Sequence, residues 1–201
     1  MTSRPYERML APVSTGTVQW AGYDITISPP QFLPSDCSDP FLHRLPDGTL
    51  IEHSGSLDSR VYRSFDGGRT WERGHWGVGV CVGNRRDGSV VAMDFMTYPV
   101  EGASQGPFWG RGIRLYPPDY RRVSPPLHVR VDVPGGVPMV DDGGHYGGGV
   151  AFWRKMVEET DGTLIAPGYG TFAHNDAPPL GYPAEWGMRR FECFLVESKD
   201  V

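Results

Sequence analysis

One eight-residue stretch constrains the fold of this chain more than any other feature of it: Ser64-Phe65-Asp66-Gly67-Gly68-Arg69-Thr70-Trp71. The short polar side chains of Ser64 and Asp66 can hydrogen-bond nearby backbone amides and close a turn. The two glycines supply the positive φ that a tight connection between twisted strands requires. Trp71 begins the next segment, where a large ring can pack against a neighbouring sheet. The stretch therefore predicts a β-hairpin.

The surroundings of this hairpin recur along the chain. Asp-Gly-(Thr/Ser) turns begin at residues 47, 87 and 161, each between short apolar runs. Stretches in the position of the first hairpin begin at residues 64, 117 and 198, although the second reads Pro-Pro-Asp. An internal period of this kind is typical of repeat architectures, and four strands make one blade of a β-propeller.

The predicted fold class is all-β, a partial β-propeller with about three four-stranded blades. Residues 1–201 are expected to form a single partial propeller domain, in which 1–35 supply lead-in strands. The blades are predicted over 36–76, 77–133 and 150–201, and the last is truncated within its hairpin. The 27 Gly and 19 Pro fit a chain of many short strands and turns.

The pattern Ser-x-Asp-x-Gly-x-Thr-Trp at residues 64–71 resembles the Asp-box, or BNR repeat, of the sialidase/neuraminidase-like superfamily. The resemblance implies the N-terminal half of a probable six-bladed propeller, with open blade edges through which copies could self-associate. It also implies an exo-glycoside hydrolase that acts on a terminal sugar and is incomplete in this chain. The alternative is a non-catalytic Asp-box propeller that binds glycan or protein.

Strand alternation sorts the predicted loops into two groups. The Asp-Gly turns and the Asp-boxes share one end of the blades, and the remaining connections share the other end, which holds the substrate in sialidases. The segments expected at that end are 35–39, 53–60, 97–111, 132–150 and 170–189. Long loops on a rigid scaffold are where binding sites are usually built.

The predicted catalytic residues are Asp58, Asp39 and His145. Asp58 is the nearest match to the acid/base residue that sialidases carry after the second strand, and a solvated turn Asp is the alternative. Asp39 stands near the place of a sialidase Arg that grips the sugar carboxylate, so this chain departs from the family there. His145 lies in a Gly-rich loop and could transfer a proton, or could belong to an insertion without that role. The family's Tyr nucleophile belongs to later blades.

The predicted substrate-binding residues supply polar groups and aromatic rings that stack on sugars. They are Asp36, His53, Arg60, Tyr146, His174, Asp176, Tyr182 and Trp186. Packing within the loops is the alternative for those of the 170–189 segment, and packing in the sheet is the alternative for His53.

Composition narrows the partners and the compartment. The net charge of −5 disfavours nucleic acid or an anionic membrane as a partner. The resemblance to sialidases implies a carbohydrate partner. No signal peptide is recognisable, so the location is expected to be cytoplasmic or is unknown. The three Cys are widely spaced, which predicts buried or free thiols. No metal-ligand or dinucleotide spacing occurs, and no cofactor is expected.

Overall fold

The computed structural model describes residues 16–27, 40–53, 61–74, 79–121, 125–138, 150–181 and 189–198. Within these ranges the chain is all-β and contains no helix, which confirms the all-β part of the predicted class. Contacts divide the chain into two units, Met1–Pro34 and Ser35–Val201.

The strands of the described ranges run in chain order as follows: β1 (Gly16–Trp20), β2 (Tyr23–Ile27), β3 (Phe41–Arg44), β4 (Leu50–His53), β5 (Val61–Ser64), β6 (Glu72–Gly74), β7 (Cys81–Asn84), β8 (Val90–Met93), β9 (Tyr98–Pro99), β10 (Phe108–Leu115), β11 (Leu127–Val131), β12 (Val150–Phe152), β13 (Arg154–Lys155), β14 (Val157–Glu158), β15 (Leu164–Gly170) and β16 (Glu192–Ser198).

The first unit contains an antiparallel hairpin of β1 and β2. Ala21 and Gly22 form its turn with φ of 50° and 83°, the left-handed conformation that two-residue hairpin turns need. The cross-strand pairs Val18–Ile25 and Trp20–Tyr23 place four apolar side chains on one face. All four are exposed.

The second unit begins with a four-stranded antiparallel meander, the first sheet, in the order β3-β4-β5-β6. The predicted hairpin joins β5 to β6. The Asp66 carboxylate accepts hydrogen bonds from the backbone amides of Arg69 and Thr70, both at 2.9 Å, and from the Thr70 hydroxyl at 2.7 Å. The Ser64 hydroxyl donates to Asp66 and accepts from the Gly68 amide. The Trp71 indole closes the turn on the Gly68 carbonyl.

The three Asp-Gly turns share one geometry, which confirms the repeat of these turns along the chain. Asp47, Asp87 and Asp161 each accept a 2.9 Å hydrogen bond from the amide two residues later. The glycine that follows each Asp has a φ between 81° and 92°, which is open to glycine at little cost. Each turn is also closed by the same pair of backbone hydrogen bonds. In the first turn the Leu45 amide donates to the Thr49 carbonyl, and the Gly48 amide donates to the Leu45 carbonyl.

The second sheet has the order β11-β10-β8-β7-β13, and β9 pairs with β10 outside this path. The predicted loop 97–111 is wrong in part, because β9 lies within it and β10 begins at Phe108. The third sheet has β15 at its centre, flanked by β16 on one side and by β12 and β14 on the other. The chain before the third Asp-Gly turn is divided between two sheets: β12 and β14 pair in the third sheet, whereas β13 pairs in parallel with β7 of the second.

Two apolar clusters lie between the sheets. The first joins side chains of the first and second sheets, among them Ile51, Val61, Val90 and Leu115. The second joins the second and third sheets through residues such as Phe108 and Phe152. Of the described cysteines, Cys81 is buried and Cys193 is exposed, and both are free thiols as predicted.

Polar contacts link the turns of neighbouring sheets. The Arg63 guanidinium donates to the backbone carbonyls of Asp119 and Tyr120. The Arg85 guanidinium donates to Glu158 at 2.9 Å. The Asn84 side-chain amide donates to the Arg44 carbonyl, which joins the first and second turns. The three Asp-Gly turns (45–49, 85–89 and 159–163) therefore lie at one end of the second unit, here called the turn end.

The Asp66 carboxylate gives a test of the hairpin. Hydrogen bonds from Thr70, and then from Ser64, hold the pKa of Asp66 well below its ordinary value of 3.8. A carboxylate with a depressed pKa stabilises the fold above its unfolded pKa. This contribution begins to be lost as the pH falls below about 3.8 and is gone only below the lower folded pKa. We expect Asp66→Asn to lower the melting temperature by several degrees at pH 7 and by less at pH 3. Glu101→Gln, at an exposed turn, serves as the control. An equal loss at both pH values would contradict the assignment.

Candidate functional site

The end of the sheets opposite the turn end carries the candidate site, and the strand register defines it. Phe41 begins β3 and pairs with His53 at the end of β4. Tyr169 lies near the end of β15, and Phe191 directly precedes β16. Phe95 follows β8. Each of these positions lies at the strand end farthest from its Asp-Gly turn, and we call this side of the second unit the far end.

Five aromatic side chains meet at the far end and form what we call the aromatic cluster: Phe41, Phe95, Trp153, Tyr169 and Phe191. Trp153 is central, because its ring lies 4.9 Å from Phe41, 5.0 Å from Phe95 and 6.3 Å from Tyr169 between centroids. Tyr169 continues the row to Phe191 at 5.6 Å. Most contacts are edge-to-face, the geometry that aromatic quadrupoles favour. Phe41 is buried, whereas the other four rings are partly exposed.

Arg154 places a cation beside this cluster. Its guanidinium carbon lies 4.7 Å from the centre of the Phe41 ring and 5.4 Å from that of Trp153. The side chain is exposed. Its backbone has a φ of 77°, a left-handed conformation that is uncommon for a residue other than glycine. The strain coincides with the point where the chain passes from β12 in the third sheet to β13 in the second.

His53 lies beneath the cluster and is 1% exposed. Its ring stacks on Phe41 at 5.6 Å. Burial, with a smaller contribution from His43, lowers the pKa of His53 to about 3. The imidazole is therefore neutral near pH 7, and its Nδ1 has no hydrogen-bond partner among the described residues. This placement fits the packing alternative, since a ligand would reach the ring only if it were uncovered.

A buried carboxylate also lies at the far end, directly after β8. Asp94 is 5% exposed, and its carboxylate lies 3.5 Å from the Arg111 Nε. The Asp94 amide also donates to the Arg111 carbonyl, so the backbone and the side chain of Asp94 both contact Arg111. An ion pair of this kind holds the adjacent Phe95 backbone in place.

The structure brings two of the predicted substrate-binding residues near each other. His174 and Asp176 are both exposed, in the connection that follows β15. His174 Nε2 lies 3.0 Å from a Glu192 carboxylate oxygen, which also accepts from the Asn175 amide group. The His174 ring also contacts Phe172 at 5.6 Å. His174 is thus anchored to the start of β16, while remaining accessible.

The remaining predicted residues lie outside the described ranges and stay predictions. They are the catalytic candidates Asp39, Asp58 and His145, and the substrate-binding candidates Asp36, Arg60, Tyr146, Tyr182 and Trp186.

Sequence reasoning missed the aromatic cluster and Arg154. Trp153 and Arg154 fall in the predicted blade 150–201, in the apolar run before the turn at residue 161, and a run that predicts a strand gives no reason to expect a site. A weak signal was present, because Trp153-Arg154-Lys155 interrupts an otherwise apolar run with two cations. Nothing in the sequence indicated that Phe41 and Phe95, from two other repeats, would meet Trp153.

Comparisons with known proteins leave the family open. No protein-family model matches the chain, and no curated protein matches it. In the described part of the chain no group of His, Cys, Asp and Glu side chains is arranged to hold a metal ion. The same residues include no helix of the length and apolar character that would cross a membrane.

His53 provides a test of the far end through the pH dependence of stability. Because its folded pKa lies below the unfolded value of 6.5, the neutral ring stabilises the fold above pH 6.5. That contribution is lost as the pH falls from about 6.5 toward 3. We expect His53→Phe, which keeps a ring against Phe41, to lose less stability than the parent between pH 7 and pH 4. The free energy of unfolding of the two proteins is measured at each pH. If it falls by the same amount in both between pH 7 and pH 4, the assignment of His53 as a buried neutral ring is wrong.

Proposed function

We propose that the three sheets of the second unit are consecutive blades of a sialidase-like β-propeller. The support comes from the first strands of the sheets, which lie side by side. β7 and β13 pair in parallel through Cys81–Arg154 and Val82–Lys155. His43 Nε2 donates to the Asn84 side-chain oxygen at 2.8 Å, and the Asn84 amide donates to the Arg44 carbonyl. Sheets whose first strands adjoin in this way fit blades arranged about a common axis.

We propose further that the protein binds a terminal sugar of a glycan at the far end. The observation that carries this proposal is the aromatic cluster with Arg154 beside it. Partly exposed rings offer apolar faces for a pyranose, and Trp and Tyr retain a polar group for its hydroxyls. The Arg154 guanidinium can donate two parallel hydrogen bonds to a carboxylate, or single bonds to hydroxyls.

The proposed reaction is hydrolysis of the glycosidic bond. An acidic group protonates the departing glycosidic oxygen, and water is added at the anomeric carbon, either directly or through a covalent intermediate. Asp58, Asp39 and His145 remain the candidates for proton transfer. The described strands that flank these residues have ends at the far end, at Phe41, His53 and Val150, where the cluster would orient the sugar.

A second candidate function is glycan binding without catalysis. One observation favours it: two described titratable groups near the aromatic cluster, His53 and Asp94, are already committed to the fold. His53 is buried and its pKa is lowered to about 3, and Asp94 is ion-paired with Arg111. Neither is suited to exchange protons with a substrate at neutral pH.

Turnover separates the two candidates. Cleavage of at least one member of a panel of chromogenic sialosides, rhamnosides and uronides would support hydrolysis by the residues of this chain. Asp58→Asn and His145→Ala should each reduce that turnover by at least about a hundredfold, the low end for loss of a general acid or base. Asp119→Asn, in a turn at the other end of the second sheet, should not change it. Binding of a sugar without any turnover would favour the non-catalytic candidate, and unchanged rates would exclude the two residues from catalysis.

Arg154 allows binding and backbone strain to be separated. Arg154→Ala and Arg154→Gly both remove the guanidinium, so each should weaken binding of the sugar identified in the panel. Only glycine relieves the left-handed backbone, so Arg154→Gly should be more stable than Arg154→Ala by about 1 kcal/mol. Urea unfolding and titration calorimetry measure the two quantities, with Lys155→Ala as the neighbouring control. Sugar affinity equal to that of the parent would show that Arg154 does not contact the ligand.

A further inference from the structure

A second group of exposed side chains lies in a row across the outer part of the second sheet. Tyr98 in β9 pairs with Trp109 in β10, and Trp109 pairs with Arg130 in β11. Directly opposed residues of antiparallel strands share one face of the sheet, so the three side chains lie side by side. Tyr98 is 52% exposed, Trp109 is 37% exposed, and the side chain of Arg130 is 59% exposed. We call this row the Tyr-Trp platform.

The length of the platform follows from the strand spacing, and contacts with the core fix the backbone of β9 and β10. Adjacent strands are about 4.8 Å apart, so the row from Tyr98 to Arg130 spans roughly 10 Å. Phe108, beside Trp109, is 1% exposed and anchors β10 in the core. The Thr97 amide and hydroxyl both donate to the Val150 carbonyl, which fixes the backbone before Tyr98.

The polar end of the row resembles a sugar-binding arrangement rather than an apolar contact. Arg130 Nε donates to an Asp132 carboxylate oxygen at 3.1 Å, and both side chains are more than half exposed. The row thus presents two exposed aromatic rings followed by a donor and an acceptor. Aromatic rings beside hydrogen-bonding side chains suit pyranose units. Because Tyr, Trp and Arg are also common in protein interfaces, a contact between protein chains is the outcome that the test must separate from sugar binding.

The platform is also close to the aromatic cluster along a fixed piece of chain. Phe95 belongs to the cluster and precedes Tyr98 by three residues, so their Cα atoms are at most about 11 Å apart. The Phe152 amide donates to the Phe95 carbonyl, and Met96 bridges to Ala151. This connection is therefore tied to the third sheet between the two aromatic groups.

We propose that the Tyr-Trp platform is a second sugar-binding site, which takes the inner units of an oligosaccharide whose terminal sugar lies at the aromatic cluster. The ligand class is accordingly an oligosaccharide or polysaccharide chain rather than a glycoside of a single sugar. This inference rests on the proposed function, because it takes the cluster as the site of the terminal unit.

Binding as a function of chain length tests the inference. The probes are the hexasaccharides of polygalacturonate, alginate and cellulose, each beside its own monosaccharide, measured by titration calorimetry. The parent should bind at least one hexasaccharide about tenfold more tightly than the monosaccharide. Tyr98→Ala and Trp109→Ala should each remove most of that preference and leave monosaccharide affinity unchanged. Trp109→Phe, which keeps a ring, should retain a larger part of it than Trp109→Ala.

Two controls separate this inference from the proposed function. Tyr116→Ala removes a tyrosine that is 54% exposed beside the 117–119 turn, and it should change neither affinity. Trp153→Ala should weaken both the monosaccharide and the hexasaccharide, because it alters the cluster. Unfolding curves of every variant establish that the fold is intact.

The outcomes that overturn the inference are distinct. Hexasaccharide affinity that is unchanged in all folded platform variants overturns it while the proposed function stands. A change in oligomeric mass of the platform variants, with sugar affinity unchanged, overturns it in favour of a contact between protein chains. Failure of the parent to bind any of the probes overturns both this inference and sugar binding at the cluster.

Discussion

The second unit depends on one interaction, the acceptance of backbone N–H groups by a turn carboxylate. Asp47, Asp87 and Asp161 each accept from the amide two residues later, and Asp66 accepts from two amides and two hydroxyls. A carboxylate that satisfies several donors fixes the hairpin, and a fixed hairpin sets the register of the strands that follow. Because these turns collect at one end, the other end is left to the connections that build the candidate site.

The parts of the fold that sequence could predict are those determined locally. Gly48, Gly88 and Gly162 follow an Asp in a pattern that specifies a turn, and the apolar runs on either side specify strands. Features that depend on contacts between distant segments could not be predicted this way. β9 exists only because β10 extends to Phe108, and β13 pairs with β7 across more than seventy residues of sequence. The hairpin turns could therefore be predicted from sequence, whereas the pairing of β13 with a strand of the second sheet could not.

The same distinction holds for the site. The segments that lie at the far end could be predicted from the alternating direction of the strands alone. Its aromatic content did not, because Phe41, Phe95 and Trp153 come from three different repeats and meet only through the packing of the sheets. Sequence reasoning weighted titratable residues in long loops, and of these His53 is placed beneath the rings rather than among the exposed groups. Proton-transfer residues are recognisable by type, whereas a stacking surface is recognisable only by arrangement.

The short strand β13 has a consequence for how the second unit comes apart. Its main-chain hydrogen bonds belong to the second sheet, while β12 and β14 on either side of it belong to the third. The two sheets are therefore joined by backbone hydrogen bonds as well as by apolar packing. Neither sheet can separate from the other without breaking those hydrogen bonds. Local opening in such a molecule spreads over both sheets as one cooperative unit, and amides of both sheets would share one free energy of opening in hydrogen exchange. Arg154, the strained residue at this junction, therefore takes part in the pairing that joins the two sheets and also carries the exposed guanidinium of the proposed binding site.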